Sequence, residues 1–254
     1  MKLLLHACCG PCSLEPLRAL REEGHDITIM FSNSNITPAT EYAQRLDTLR
    51  SWAKTEGIPI IEDAYDPESW KTSSGRIGQA ALDAAGGNVE RLATEPELRE
   101  ARCRACYRLR FERTAQQARE QGFDAIGTTL SVSPYQFTDS IREELERAAT
   151  AAGLTALFKD YRPLYDEATR RSRNLGMYRQ NYCGCHFSDS EAAAERELRK
   201  RTREAERTVR LQEHAAEREA EEAARTQKKA ERQAYAEKQA KKRAVLKALR
   251  DKQS

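Results

Sequence analysis

The sequence predicts an α/β protein: a parallel sheet covered on both faces by helices, followed by a long charged helical extension. Three observations carry this. Short apolar runs alternate with helix-length segments, the pattern of successive βαβ units. Glycine and proline punctuate the junctions. Near Asp189 the composition changes, and glycine and proline then disappear from the rest of the chain.

KLLLHA reads as a central parallel strand, and CCGPC leads from it into SLEPLRALREEG, a helix that Ser13 can cap and Gly24 ends. DITIMFS is β-branched and apolar, the second strand. Residues 33–38 form a turn, and Pro38 opens a helix reaching about Gly57 with Leu46, Leu49 and Trp52 at core spacing. IPIIEDA is the third strand. The stretch from Asp66 to Glu97 is rich in glycine and serine, and is expected to cross the sheet edge with short helices at most. ARCRACYRLRFERTAQQAREQG is a helix, AIGTTL the fourth strand, SPYQFTDSIREELERAATAAG a helix and TALFKDY the fifth strand. DEATRRSRNLGMYRQ is a further helix, followed by NYCGCHF. Ligands of such sheets bind beyond the carboxyl ends of the strands, where CCGPC sits.

Length allows one or two domains for 254 residues. Charge separates them: 1–189 hold 24 Lys+Arg against 27 Asp+Glu, and 190–254 hold 19 against 13. Tyr235 is the only aromatic residue after Phe187. The expected division is a globular domain over 1–189 and a charged helical or partly disordered tail over 190–254. Pairs such as Glu195/Arg199, Glu206/Arg210, Glu221/Arg225 and Glu237/Lys241 support a solvated helix, and large apolar residues are too sparse for a coiled-coil seam. The last thirty residues hold 11 Lys+Arg against 3 Asp+Glu. That is either a solvated helix face or an electrostatic grip on RNA. No apolar run approaches the roughly 20 residues that span a bilayer, and the N-terminus lacks a signal-peptide layout. A cytoplasmic protein with no membrane partner is expected.

All seven cysteines fall into three tight groups: Cys8, Cys9 and Cys12; Cys103 and Cys106 in CRAC; Cys183 and Cys185 in CGC. In a reducing compartment clustered thiols bind metal or do redox chemistry more often than they form structural disulfides. CxxC brings two thiolates to one metal or iron–sulfur cluster, or forms a redox disulfide. CxC closes a strained ring that is readily reduced. Any one cysteine could be a small buried apolar residue. Structural zinc would use four and leave three without a role. Convergence of three groups from different sheet elements favours cluster or redox chemistry. His6 could point into this site or be a hydrogen-bonded core residue. Arg102, Arg104, Arg108, Arg110 and Arg113 either line a solvated helix face or contact phosphates. Tyr135 and Gln136 follow a strand end, where they hold a substrate edge or cap a helix. Tyr107, Tyr178 and Tyr182 flank cysteines and could stack a base or pack.

At these residues the sequence resembles a known family. HACCGPCS after strand one, FSNSNITPATEYAQRL, CRAC, GTTLSVSPYQ and YRQNYCGC, in that order over residues 1–188, are similar to the cobalamin-independent epoxyqueuosine reductases. The resemblance implies a HUP-like fold, related to adenine-nucleotide α-hydrolases and PP-loop enzymes, with no ATP use, because CCGPC replaces their Gly/Ser-rich phosphate cradle. It implies reduction of epoxyqueuosine to queuosine at the wobble position of tRNA, the last step of queuosine synthesis. Two electrons remove the epoxide oxygen as water and leave the cyclopentene. It further implies a [4Fe–4S] cluster on Cys8, Cys9, Cys103 and Cys106, without cobalamin. Cys183 and Cys185 would form either a redox-active disulfide or ligands of a second, mononuclear iron, and Cys12 would be a further ligand facing the substrate. His6, Tyr135, Gln136, Arg104 and Arg108 are candidates for substrate contact, and His6, Asp139 and Asp160 for proton donation. An external electron donor is required. Two other functions compete: a zinc-stabilised RNA-binding protein, and a thiol–disulfide oxidoreductase using the CGC pair.

Overall fold

The computed structural model describes the backbone of residues 1–251 and the side chains of residues 1–243, so the end of the basic stretch lies outside the described residues. Five parallel strands form one sheet in the order β3-β2-β1-β4-β5, namely β1 (Lys2–His6), β2 (Asp26–Phe31), β3 (Ile60–Glu62), β4 (Ala125–Thr128) and β5 (Thr155–Leu157). β1 is central, with His6 opposite Met30 of β2 on one side and Thr128 of β4 on the other. The chain winds outward one way from β1 to β3 and then the other way through β4 to β5. This makes the carboxyl end of β1 the point where the winding reverses, the usual ligand crevice of an open parallel sheet.

The uninterrupted apolar run in β1 follows from burial on both faces. Side chains alternate across a strand. Leu3 and Leu5 join Ile27, Ile29 and Phe31 beneath α1 (Gly10–Glu22) and α2 (Ala39–Glu56), which contribute Leu14, Leu17, Leu20, Leu46, Leu49 and Trp52. Leu4, Met30 and Ile126 face the other way. They meet Tyr107, Phe111 and Ala115 of one long helix, and Ile141, Leu145 and Ala148 of the next. Each fully buried leucine contributes about 1.5–3 kcal/mol. α2 ends at Gly57, whose positive φ of 66° lets two cap hydrogen bonds close the last turn.

α1 starts earlier than expected. Its first residue is Gly10 and Cys9 is the flanking N-terminal residue, so Ser13 lies inside the helix and its Oγ donates to the Cys9 carbonyl at 2.8 Å. Pro11 in the first turn favours this start, because that turn has no use for its missing N–H.

The glycine- and serine-rich excursion is more helical than its composition suggests. It holds α3 (Pro67–Trp70), a π-turn over Lys71–Gly75, α4 (Arg76–Ala84) and α5 (Val89–Thr94). Asp66 starts it by accepting from Ser69 N at 3.0 Å, and the π-turn carries TSSG without breaking the rod. Then come α6 (Glu97–Glu120), α7 (Thr138–Ala152), α8 (Tyr165–Asn174) and α9 (His186–Asp251). Two compact units result, Met1–Arg196 and a second from Glu197 that is helical through Asp251. In the second unit Val209, Leu211 and Tyr235 are exposed, as on a solvated helix. Among the described residues no helix is long and apolar enough to cross a membrane.

Candidate functional site

The carboxyl ends of β1, β2 and β4 deliver His6 to Cys9, Ser32 and Asn33, and Thr128 to one place. The backbone leaving β1 is pinned there: Ala7 N donates to Met30 O, and Asn33 Nδ2 donates to Ala7 O at 2.8 Å. Held by these bonds, the chain turns into α1, and Cys8, Cys9 and Cys12 bring their sulfurs within 4.8 Å of one another. They are the only such metal-capable group among the described residues.

These thiols differ in acidity. Hydrogen bonds from Cys12 and Cys8 hold the Cys9 thiol well below its ordinary pKa, and the Arg45 guanidinium and Gln180 act in the same direction. Gln180 Nε2 lies 3.0 Å from the Cys9 sulfur. Cys12 is pushed well up by its hydrogen bonds to Cys8 and Cys9 and by burial. For Cys8 the Cys12 hydrogen bond pulls downward, but the Cys9 hydrogen bond and burial outweigh it and raise the thiol to about 11. Three clustered sulfurs, one with a lowered thiol pKa, at the N-terminus of a helix whose dipole favours negative charge make a ready set of metal ligands.

The other four cysteines gather across α6 and the chain leaving α8. Cys106 packs with Cys185, Trp70 and Phe187, whereas Cys103 lies against the cluster that contains Cys8 and Cys9. Burial raises Cys103, Cys106 and Cys185, the last to about 11. Cys185 immediately precedes α9, and its sulfur accepts from Ser188 N at 3.4 Å, so it too sits at a helix N-terminus. All seven cysteines are free thiols.

The CGC turn is docked through its glycine. Gly184 has φ +147°, which favours glycine, and its carbonyl accepts from Thr37 N at 2.9 Å. A Cβ there would lie 2.8 Å from Asn35 Nδ2 and 3.0 Å from Ile36 Cγ1. Gly184→Ala is therefore expected to destabilise the protein by about 1–3 kcal/mol, measured by urea unfolding. A change below about 0.5 kcal/mol, the ordinary size of a surface substitution, would contradict this docking.

Buried cations surround the sulfurs. Arg45, on α2, donates to Glu41 at 2.6 Å and to the Cys183 carbonyl at 2.8 Å. Arg102 forms a forked pair with Glu191 at 2.6 and 2.9 Å beside Cys103. Arg110 reaches Asn33 Oδ1 at 2.5 Å and His6 Nε2 at 3.2 Å. His6 Nε2 lies 3.2 Å from both Arg110 Nε and the Ser32 carbonyl, and Nδ1 lies 3.1 Å from Thr128 Oγ1, so the ring is held on both edges. Burial and then Arg110 lower His6 to a pKa of about 3, so it is a neutral structural strut and a poor proton source near neutral pH.

The remaining candidates divide. Gln136 reaches the thiols: it accepts from Tyr107 OH at 2.6 Å and lies 3.9 Å from the Cys183 sulfur. Its neighbour Tyr135 points outward, 61% exposed, with its ring 6.2 Å from that of Tyr165. Arg104 and Arg108 tie α6 to α7 through Glu143 and Glu144, so their charges are already matched. Asp139 pairs with Arg142, and Asp160 is held ionised by its hydrogen bonds from Arg162. Tyr178 and Tyr182 donate to Glu41 and to the Thr37 carbonyl. Sequence reasoning missed Glu41, Arg45, Gln180 and Trp70. Trp70 alone left a signal, a tryptophan within an otherwise polar stretch.

Fold and site together define the class: a parallel α/β protein whose sheet carries a buried, cation-flanked thiol centre where its winding reverses. The family model described as Epoxyqueuosine reductase QueH matches residues 3–191, a span that includes every cysteine. The chain belongs to the epoxyqueuosine reductase QueH family, an oxidoreductase family. The Epoxyqueuosine reductase QueH of Histophilus somni is 36% identical over 191 residues, covering 74% of this chain and 72% of that one. The protein of the same name from Dehalococcoides mccartyi is 28% identical, covering 75% of this chain and 93% of that one. Among solved structures, a predicted subunit of tRNA methyltransferase from Methanocaldococcus jannaschii aligns with a TM-score of 0.40 and 14% identity, over 66% of this chain and 76% of that one.

Proposed function

We propose that this protein reduces epoxyqueuosine to queuosine at the wobble position of tRNA, using an iron–sulfur centre held by its cysteines. The observation that carries the reading is the convergence of three sulfurs within 4.8 Å at the carboxyl end of β1, inside the span that matches the family. The donor set fits such a centre. The thiols are free, and three buried guanidiniums, on Arg45, Arg102 and Arg110, lie beside them to offset thiolate charge. Cys8, Cys9, Cys103 and Cys106 would hold a [4Fe–4S] cluster, which when bound supplies single electrons. Cys12, Cys183 and Cys185 remain for a second iron or for thiol chemistry next to substrate.

The balance requires two electrons and two protons: both epoxide C–O bonds break, a C=C bond forms, and the oxygen leaves as water. The chain's own residues orient and shield this site. Gln136, fixed by Tyr107, presents its amide beside Cys183. Gln180 holds Cys9 through Nε2 and leaves its buried Oε1 without a partner, a free acceptor at the centre. Trp70 and Phe187 cover Cys106 and Cys185 and exclude water.

Two measurements test the reading. Nucleoside mass analysis of tRNA from cells lacking the protein should show retained epoxyqueuosine, and normal queuosine would overturn it. Anaerobically purified protein should contain iron and acid-labile sulfide, whereas about one zinc and no iron would favour structural zinc.

For the tail we expect a salt-dependent contribution to tRNA affinity, from 8 Lys+Arg against 2 Asp+Glu over 225–246 alone. The truncation that tests this begins at Glu197. A cut at Ser190 would also remove Glu191 and Glu195, which pair with Arg102 and Arg99 of α6. Removal should weaken binding at low salt and flatten its salt dependence, and unchanged low-salt affinity would refute the role.

A further inference from the structure

Arg110 differs from the other buried arginines of the site. Arg45 and Arg102 each have a carboxylate partner, Glu41 and Glu191. Arg110 is 2% exposed and has no carboxylate partner: it reaches His6 Nε2, the Ser32 carbonyl, Asn33 Oδ1 and the Cys106 side chain. Its Nη1 is buried with no partner. A buried charge is strongly unfavourable unless an opposite charge compensates it. His6 cannot compensate, since an imidazole ring carries no negative charge.

The position of Arg110 identifies what would. It lies on α6 one turn after Cys106, and its Nε is 3.2 Å from Nε2 of His6, the last residue of β1 and two positions before Cys8. Those two cysteines come from different groups, one on α6 and one following β1. Arg110 thus joins the helix that carries Cys106 to the end of the strand that leads into Cys8 and Cys9, with Nη1 buried and unpartnered.

We propose that Arg110 is the counter-cation of the thiol-bound centre, a positioning residue that raises the centre's reduction potential by favouring its more negative, reduced form. This rests on the iron–sulfur reading above. Net charge and hydrogen bonds near the sulfurs are principal determinants of the potential of such centres. The His6–Thr128 and Asn33 contacts fix the guanidinium in place, so its effect is preorganised.

The test compares anaerobically prepared holoprotein of wild type, Arg110→Lys and Arg110→Met. Iron and acid-labile sulfide are assayed, folding is checked by circular dichroism, and potentials are read by an EPR-monitored redox titration. Arg110→Met should load the centre but make its one-electron reduction at least tenfold less favourable, about 59 mV more negative. Arg110→Lys, which keeps the charge, should stay near wild type. A fully loaded Arg110→Met with an unchanged potential overturns the proposal. Should Arg110→Met fold yet take up no iron, loading of Arg110→Lys supports a requirement for charge, and failure of both folded variants overturns it in favour of shape. Wild type without iron and sulfide would overturn the cluster reading itself, a separate outcome seen before any substitution is made.

Discussion

Cys9→Ser is expected to strip the protein of iron and sulfide and to reduce epoxyqueuosine turnover to background. Cys9 is the thiol most disposed to ionise. It receives hydrogen bonds from Cys12 and Cys8, contacts Gln180 Nε2 and feels the charge of Arg45. Thiolates, not thiols, are the ligands, and a serine hydroxyl at the same place stays protonated. Cys183→Ser should behave differently, keeping the cluster's acid-labile sulfide while losing turnover, because the proposed cluster leaves Cys183 for a second iron or for thiol chemistry. The comparison is informative because the sulfurs form two spatial sets. Cys8, Cys9 and Cys12 are one, and Cys103, Cys106, Cys183 and Cys185 the other, the two meeting where Cys103 packs against the cluster that holds Cys8 and Cys9. The proposed cluster takes two ligands from each. If Cys183→Ser loses iron as completely as Cys9→Ser while still folding, the four-cysteine set on α6 and CGC is the better ligand assignment. Arg45→Met tests the surroundings of Cys9 and should weaken metal retention about 10- to 100-fold, as removal of an outer-shell partner does.

Much of the fold could be read from the chain because its strands are buried on both faces. LLL in β1 and ITIMF in β2 stay apolar for that reason, and Gly57 and Gly153 mark the helix ends they cap. The thiols were equally visible, since cysteines gathered into three tight groups point to metal or redox chemistry. Their polar surroundings were not. Glu41 and Arg45 sit at i, i+4, a spacing that looks the same whether water or protein covers the pair. The structure buries it beneath the CGC segment. Arg102, Arg104, Arg108, Arg110 and Arg113 of α6 look alike as letters, yet they meet different environments: Arg102 pairs with Glu191, Arg104 and Arg108 clasp α7, Arg113 pairs with Asp63, and Arg110 is enclosed with no carboxylate partner. What separates them is the sheet beneath one face of the helix. The same holds for the excursion after β3, where Trp70 reaches Cys106 and Cys185, a long-range contact with no local pattern.

Glu191→Ala is expected to cost about 3–5 kcal/mol of stability, because it strands the buried charge of Arg102. Both side chains are almost fully enclosed, 2% and 5% exposed, and the guanidinium meets the carboxylate in a fork. For a domain of this size that corresponds to a fall of roughly 6–20 °C in Tm. The consequence reaches the site. Arg102 also lies over the ring of Phe187, and a Cβ on Gly78 would come within 2.7 Å of Arg102 and 2.6 Å of Phe187, so α4, α6 and the start of α9 meet with no spare volume. Loosening this contact frees the segment that carries Cys183 and Cys185, and Glu191→Ala should lose turnover even at temperatures where it remains folded. The double variant Arg102→Met/Glu191→Leu separates the two effects. An apolar pair of similar volume removes the stranded charge and should recover most of the lost Tm. If the double variant is no more stable than Glu191→Ala, the cost lies in lost packing rather than in the unpaired charge.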